Sequence, residues 1–286
     1  MRILATSFWQ LIPLQSGRAN PEGNAKPKKI ESPSVKRKSL DRELEEAKRL
    51  ARRIARSTEC PTFYTEKRRE VEASLRLLRS SPLVRECLNL VSEREDGIGH
   101  GIGHSRKVAI DAGAISLVEY APFRHRSEVR RIVLLAHLAG VLHDIRRLEK
   151  DHSQASATEA GMLLTRFDLA EREVHAITSA IRNHEAFREA ETLGDPLAQF
   201  LSDALYDADK FRWGPDNFTE MLWDMVEYRK ASLDALLKRF LRGMEGIKRI
   251  RKTFRTQTGR IYGPDFIDRG IEIGMKLYAT ILQLKS

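Results

Sequence analysis

The chain has 286 residues, of which 41% are hydrophobic and 31% charged, with a formal net charge of +10. This is enough apolar material to bury a core in one sizeable domain with additions, and no apolar run approaches the roughly 20 residues that would span a bilayer. The 2 cysteines, Cys60 and Cys87, make neither a disulfide framework nor a metal-type spacing, which fits a reducing, cytoplasmic setting.

The basic excess belongs to one end. Residues 1–58 hold 14 Lys/Arg against 6 Asp/Glu, and the remainder is close to balance at 36 against 34. Any nucleic-acid contact is therefore expected only through this N-terminal arm. Its apolar patch, Ile3 to Leu14, is broken by Thr6, Ser7 and Gln10 and lacks a strong basic start, so a signal peptide is not expected. Residues 15–39 are rich in Pro, Gly, Ser and Lys and read as a disordered leader or linker.

Helical spacing then takes over. Leu40, Leu44, Ala47, Leu50, Ala51 and Ile54 recur at three and four, which predicts an amphipathic helix over 40–57. A second is expected over 66–78, and Ser81-Pro82 offers a cap and a first-turn proline for one to about 93. After the glycine-rich loop 97–103, helices are expected over 104–120, 128–143 with Ser127 as cap, and 154–166. Asp168 with Glu171 marks a capping pair for 169–185. Pro196 opens a helix through Lys210, and two more cover about 217–254 and 265–284. No stretch alternates with period two for long enough to read as a strand, so the class is all-α. The expected organisation is the leader 1–39, packing helices 40–95, a core 96–216 and a helical extension 217–286.

The 8 histidines divide by face. On their helices Val108 and Ile115 lie within about 40° of His104, and Ile132, Ala136 and Ala139 lie similarly near His143. Ile177 and Ala180 flank His184 in the same way. These three rings point with the apolar stripes, whereas His137 and His175 fall on other faces and are expected at solvent or in a peripheral contact. Inward imidazoles need partners, and a shared cation satisfies several at once. The adjacent pair His143-Asp144 can give one metal a ring nitrogen and a carboxylate oxygen. Spacing does not choose between Asp207 and Asp209, which both lie at the edges of the stripe of Leu197, Leu201 and Leu205. Asp111 shares the face of His104 and can either orient a ligand or pair with a core-facing arginine.

His104-Ser105-Arg106-Lys107-Val108, then Leu142-His143-Asp144-Ile145, then Asp207-Ala208-Asp209-Lys210 resemble the H…HD…D motifs of the HD-domain metal-dependent phosphohydrolase superfamily, over about residues 95–215. The resemblance implies an HD-like helical bundle with His104, His143, Asp144 and Asp209 as metal ligands, and it is the resemblance that selects Asp209. It further implies that His184 and His152 match extra ligands of two-metal members, with Asp144 and His184 in catalytic roles. The implied reaction is hydrolysis of a phosphate ester of a nucleotide or small phosphorylated metabolite by metal-activated water. Mixed nitrogen and oxygen donors suit one or two ions of Mn, Fe, Co, Ni or Zn, with Mg a further candidate. Arg147, Lys107 and Lys210 adjoin the motif residues and are candidates for gripping phosphate. Two alternatives stay open: a di-iron oxygenase of the same superfamily, and a non-catalytic nucleotide-sensing module.

Overall fold

A computed structural model describes residues 33–93 and 101–285. Among these the chain forms twelve α-helices, one π-helical turn and no strand. Of the leader expected over 1–39, residues to 32 lie outside the described residues, as does most of the glycine-rich loop, 97–100, whereas 33–39 belong to the first helix, which starts earlier than the expected residue 40.

The first helices are α1 (Pro33–Ser57), α2 (Thr62–Glu66), α3 (Arg68–Ser80) and α4 (Pro82–Ser92). Ser81 caps α4 as its sequence requires, its hydroxyl accepting from the Val84 amide at 3.3 Å. At the centre stand α5 (Ile102–Tyr120) and α6 (Arg126–Leu142). Small residues let their backbones nearly touch. A Cβ on Gly140 would lie 2.5 Å from the Ala109 Cα, and one on Gly113 would lie 2.3 Å from His137 Nε2. As position rises along α5 from 109 to 113, its partner on α6 falls from 140 to 137. The pair is therefore an antiparallel hairpin, and the start of α5 lies beside the end of α6. That register brings His104 to His143.

Around the hairpin pack α7 (His152–Leu164), α8 (Glu171–Arg182) and α9 (Pro196–Phe211). The chain continues through a π-helical turn (Asn217–Met221), α10 (Leu222–Tyr228), α11 (Leu233–Ile250) and α12 (Gln257–Lys285). From Val133 to Leu142 every residue of α6 except Leu134 is buried, so this part of the helix has almost no solvent face. The expectation that His137 would face solvent or the periphery fails for that reason. It is 1% exposed, with Nε2 2.9 Å from the Ser74 hydroxyl on α3. His175 is exposed, as expected, and so is His125.

Other differences have local causes. His125, not Ser127, caps α6, its ring accepting from the Ser127 amide. At α8 the carboxylate that reaches back is Glu173, accepting from the Ala170 amide at 2.9 Å, rather than the expected Asp168–Glu171 pair. The single helix expected over 217–254 is interrupted where Lys230 takes a φ of 50° and Ser232 restarts the chain as the cap of α11. The last helix starts before Pro264 because another element caps it. Glu119 of α5 accepts from the amide and hydroxyl of Thr258, at 2.7 and 2.6 Å.

Candidate metal centre

Four helical elements end or begin at one point. His104 sits in the first turn of α5, His143 and Asp144 follow α6, His184 follows α8, and Asp209 lies near the end of α9. The helix expected over 169–185 stops at Arg182, so His184 stands just beyond it. All five side chains are buried.

Their nitrogen and oxygen atoms converge. His104 Nε2 is 3.2 Å from His143 Nε2, 3.3 Å from Asp209 Oδ1 and 4.0 Å from Asp144 Oδ2. His143 Nε2 is 3.4 Å from Asp144 Oδ2 and 3.7 Å from Asp209 Oδ1. Two ligand nitrogens at about 2.1 Å from a common ion, subtending a roughly tetrahedral angle, would be separated by about this much. The same carboxylate reaches a second group through its other oxygen. Asp144 Oδ1 is 3.4 Å from His184 Nε2 and 3.7 Å from His152 Nε2. The donors therefore form two adjoining clusters, His104–His143–Asp144 and Asp144–His152–His184, joined by Asp144.

The tautomers fit ligation. His143 Nδ1 lies 2.8 Å from the Gly140 carbonyl and His184 Nδ1 lies 2.6 Å from the Ile181 carbonyl. A carbonyl only accepts, so in both rings Nδ1 carries a proton, and Nε2 is the atom that faces the centre, where a ligand nitrogen would stand. His184 Nε2 is buried without a hydrogen bond, although Asp144 lies within ion-pair range. A buried acceptor so placed is what a cation would satisfy.

Basic groups balance the carboxylates. For Asp144, burial alone would raise the pKa, but Arg147 and His143 hold it well below the usual range. Burial acts likewise on Asp209, where Lys210 and His104 outweigh it. Burial drives His104 towards its neutral form, and at His143 the attraction of Asp144 and Asp209 outweighs burial and raises the pKa.

The candidate phosphate contacts are all engaged. Arg147 donates to His152 Nε2 at 2.9 Å and lies 3.5 Å from Asp144 Oδ1. Lys210 is buried, paired with Asp209 and 5.0 Å from the Tyr206 ring centroid. Lys107 is held by Glu220 at 2.7 Å and Asp216 at 3.3 Å. His152 is partly buried, with Nδ1 3.2 Å from Glu185 Oε1.

Asp207 and Asp209 separate cleanly. Asp207 turns from the centre and accepts from the Arg255 and Thr256 amides, each at 2.8 Å, while Asp209 faces His104. Asp111 takes the second role open to it, pairing with Arg212 and accepting from Tyr64 at 2.9 Å. Burial raises its pKa to about 6, against the opposing pull of Arg212. Four neighbours were missed in the sequence. Glu185 was legible only from its adjacency to His184, and nothing local marks Tyr64, Arg212 or Asp216.

Buried imidazoles and carboxylates gathered in this way form a centre able to hold a divalent cation. No protein-family model and no curated protein matches the chain. Among solved structures it is similar to a predicted HD superfamily hydrolase from an uncultured Thermotogales bacterium. The identity is 21%, over 73% of this chain and 93% of that one, with a TM-score of 0.42. So loose a likeness decides nothing about the site, whose own geometry has to be sufficient.

Proposed function

We propose that the chain is a metal-dependent phosphohydrolase of the HD-domain kind, acting on a phosphate ester of a nucleotide or small phosphorylated metabolite. The observation that carries this reading is the pair of rings whose Nδ1 protons are fixed by backbone carbonyls, so that both Nε2 atoms face the two oxygens of one aspartate. The motif order of the sequence supplies the superfamily.

His104, His143, Asp144 and Asp209 would hold one divalent ion, and Asp144, His152 and His184 a second. When bound, such an ion polarises a phosphoryl oxygen and makes water a nucleophile near neutral pH. The chain's own groups do the rest. Asp144 spans the two clusters and fixes their separation. Arg147, now 2.9 Å from His152 Nε2, must release that nitrogen before it can serve as a ligand, which frees the guanidinium for a phosphate oxygen. Lys210 holds positive charge beside Asp209, and Lys107 sits at the end of α5 that carries His104. If only one ion binds, His184 would have to become an imidazolium to give a proton at Nε2, because its Nδ1 proton is committed to Ile181.

The test is to screen the full chain with Mn, Fe, Co, Ni, Zn and Mg against nucleoside mono-, di- and triphosphates and a simple phosphodiester. Hydrolysis, read as free phosphate or, for the diester, as the alcohol released, should fall by at least about a hundredfold in Asp144→Ala. Undiminished turnover in that variant would overturn the assignment. The doubled cluster also suits the di-iron oxygenase reading. Oxygen uptake with iron, without phosphate release, would favour it instead.

A further inference from the structure

A concavity lies at the opposite end of the central hairpin from the metal centre. It has a volume of about 500 Å³ and sits among α3, the end of α5 and the start of α6. Leu117, on its wall, is 13 residues along α5 from His104, about 20 Å at 1.5 Å per residue. Whatever this groove binds does not touch the candidate metal centre. The size is typical of a small-molecule site.

Its lining has two parts. Leu77, Leu117 and Val129 contribute an apolar floor, and Arg76, Arg124, Arg126 and Arg130 stand around it with no acidic residue among the lining. Two of these arginines are balanced from outside the groove. Arg124 pairs with Glu128, and Arg76 reaches Glu72 at 4.0 Å. Arg126 and Arg130 have no carboxylate partner among the described residues, and both are exposed. Among the described residues the groove thus offers two guanidinium groups without a carboxylate partner beside an apolar lining.

We infer that this groove binds a small phosphate monoester carrying a flat ring system, at a site separate from the metal centre. Charge selects the headgroup, since a monoester phosphate near neutral pH carries close to two negative charges and accepts forked N–H pairs from guanidinium. The floor selects the body. Short aliphatic side chains give a ring a surface to lie on, and guanidinium planes stack on its other face. A bare inorganic anion would leave that floor in water.

The experiment uses adenosine 5′-monophosphate as probe, titrated calorimetrically into the full chain, with inorganic phosphate and adenosine as half-ligands. It is run on chelator-treated protein and on Asp144→Ala, so that binding or turnover at the metal centre does not contribute. The expected result is one site in both preparations, with each half-ligand at least about tenfold weaker than the whole. Arg126→Ala with Arg130→Ala should weaken the probe by about tenfold or more. Ala121→Trp, which fills the groove from its exposed rim without removing an arginine, should do the same. Binding that disappears in Asp144→Ala but survives the arginine and Trp variants would place the probe at the metal centre and overturn the inference. Equal affinity for phosphate and the nucleotide would overturn the ring-binding floor. Binding of a nucleic acid or acidic peptide through these arginines, without binding of the probe, would overturn it as well. Failure of the hydrolase reading leaves all of these outcomes unchanged, because none reads turnover.

Discussion

Single side chains show how burial sets chemistry in this bundle. Ser74 gives its one hydroxyl proton to the Ile110 carbonyl at 2.7 Å, so in the 2.9 Å contact His137 Nε2 must be the donor. Burial favours the neutral ring, pushing its pKa down to about 3. An unfolded chain takes up this proton below about pH 6.5, and the folded one resists until about pH 3. The unfolded state therefore binds more protons in that window, and stability falls as the solution is acidified. Between pH 7 and 4.5 the loss from this ring is on the order of 2–3 kcal/mol. Urea titrations of wild type and His137→Leu at both pH values should show the variant losing less stability on acidification, and equal losses would contradict the buried neutral ring. A second residue-scale prediction concerns Arg147, which donates to the nitrogen that His152 would offer a second ion. Arg147→Met should strengthen binding of that ion, measured as metal per chain at fixed free metal, while lowering phosphohydrolase turnover by about tenfold or more. An unchanged metal content would mean that the guanidinium does not compete. The inward course of His104, His143 and His184 was legible from helical periodicity, because each helix has enough apolar neighbours to mark a stripe. His137 was not legible, since the second half of α6 is buried on nearly all sides and has no outward face for the period to reveal.

At the scale of elements, the α5–α6 hairpin sets the centre's geometry through two glycines. Gly140 lets α6 approach so closely that an added Cβ would meet the Ala109 Cα at 2.5 Å and its amide nitrogen at 2.7 Å. Both are backbone atoms and cannot rotate away. Gly140→Ala should therefore push the hairpin apart, costing about 1–3 kcal/mol or more, and displace His143 three residues on. Thermal melts and metal titration should register both effects. A variant of normal stability and metal affinity would show that the close approach does not position the ring. Gly259→Ala offers a comparison away from His143, because its Cβ would meet the Asp207 carboxylate at 2.0 Å. Helix locations were mostly readable from local pattern, as with Ser81 before α4. Boundaries failed where distant groups intervened. Glu119 caps α12 from α5, and no local rule near Pro264 contains that information. The break at Lys230 depends on a left-handed backbone that its sequence does not announce. The choice between Asp207 and Asp209 was likewise beyond spacing, since it depends on where the loop before α12 presents its amides.

For the whole molecule, the question is whether the cation builds the fold or only uses it. The candidate ligands lie up to 105 positions apart, from His104 to Asp209, so an ion binding them all recognises only the folded chain. Yet the metal-free centre is already charge-balanced, because Asp209 pairs with Lys210 and Asp144 lies beside Arg147. The surrounding core, with Leu135, Leu138 and Leu142 fully buried, does not depend on the site. Each such side chain contributes about 1.5–3 kcal/mol when removed from water. The chain should therefore fold without metal, and added ion should stabilise it by mass action alone. At a free concentration a hundredfold above its dissociation constant, the gain is about 2.7 kcal/mol. For a domain of this size that corresponds to a rise in Tm of about 5 °C. Calorimetry of chelator-treated protein, before and after adding Mn or Zn, should show a cooperative transition in both cases with this shift between them. Asp144→Ala and Asp209→Ala should each abolish the shift while keeping the transition, because each removes an oxygen ligand but leaves the core untouched. The Arg126→Ala, Arg130→Ala variant should retain it in full. A shift that survives both aspartate substitutions would put the cation elsewhere on the surface. A metal-free chain with no transition at all would mean that the ion is part of the fold.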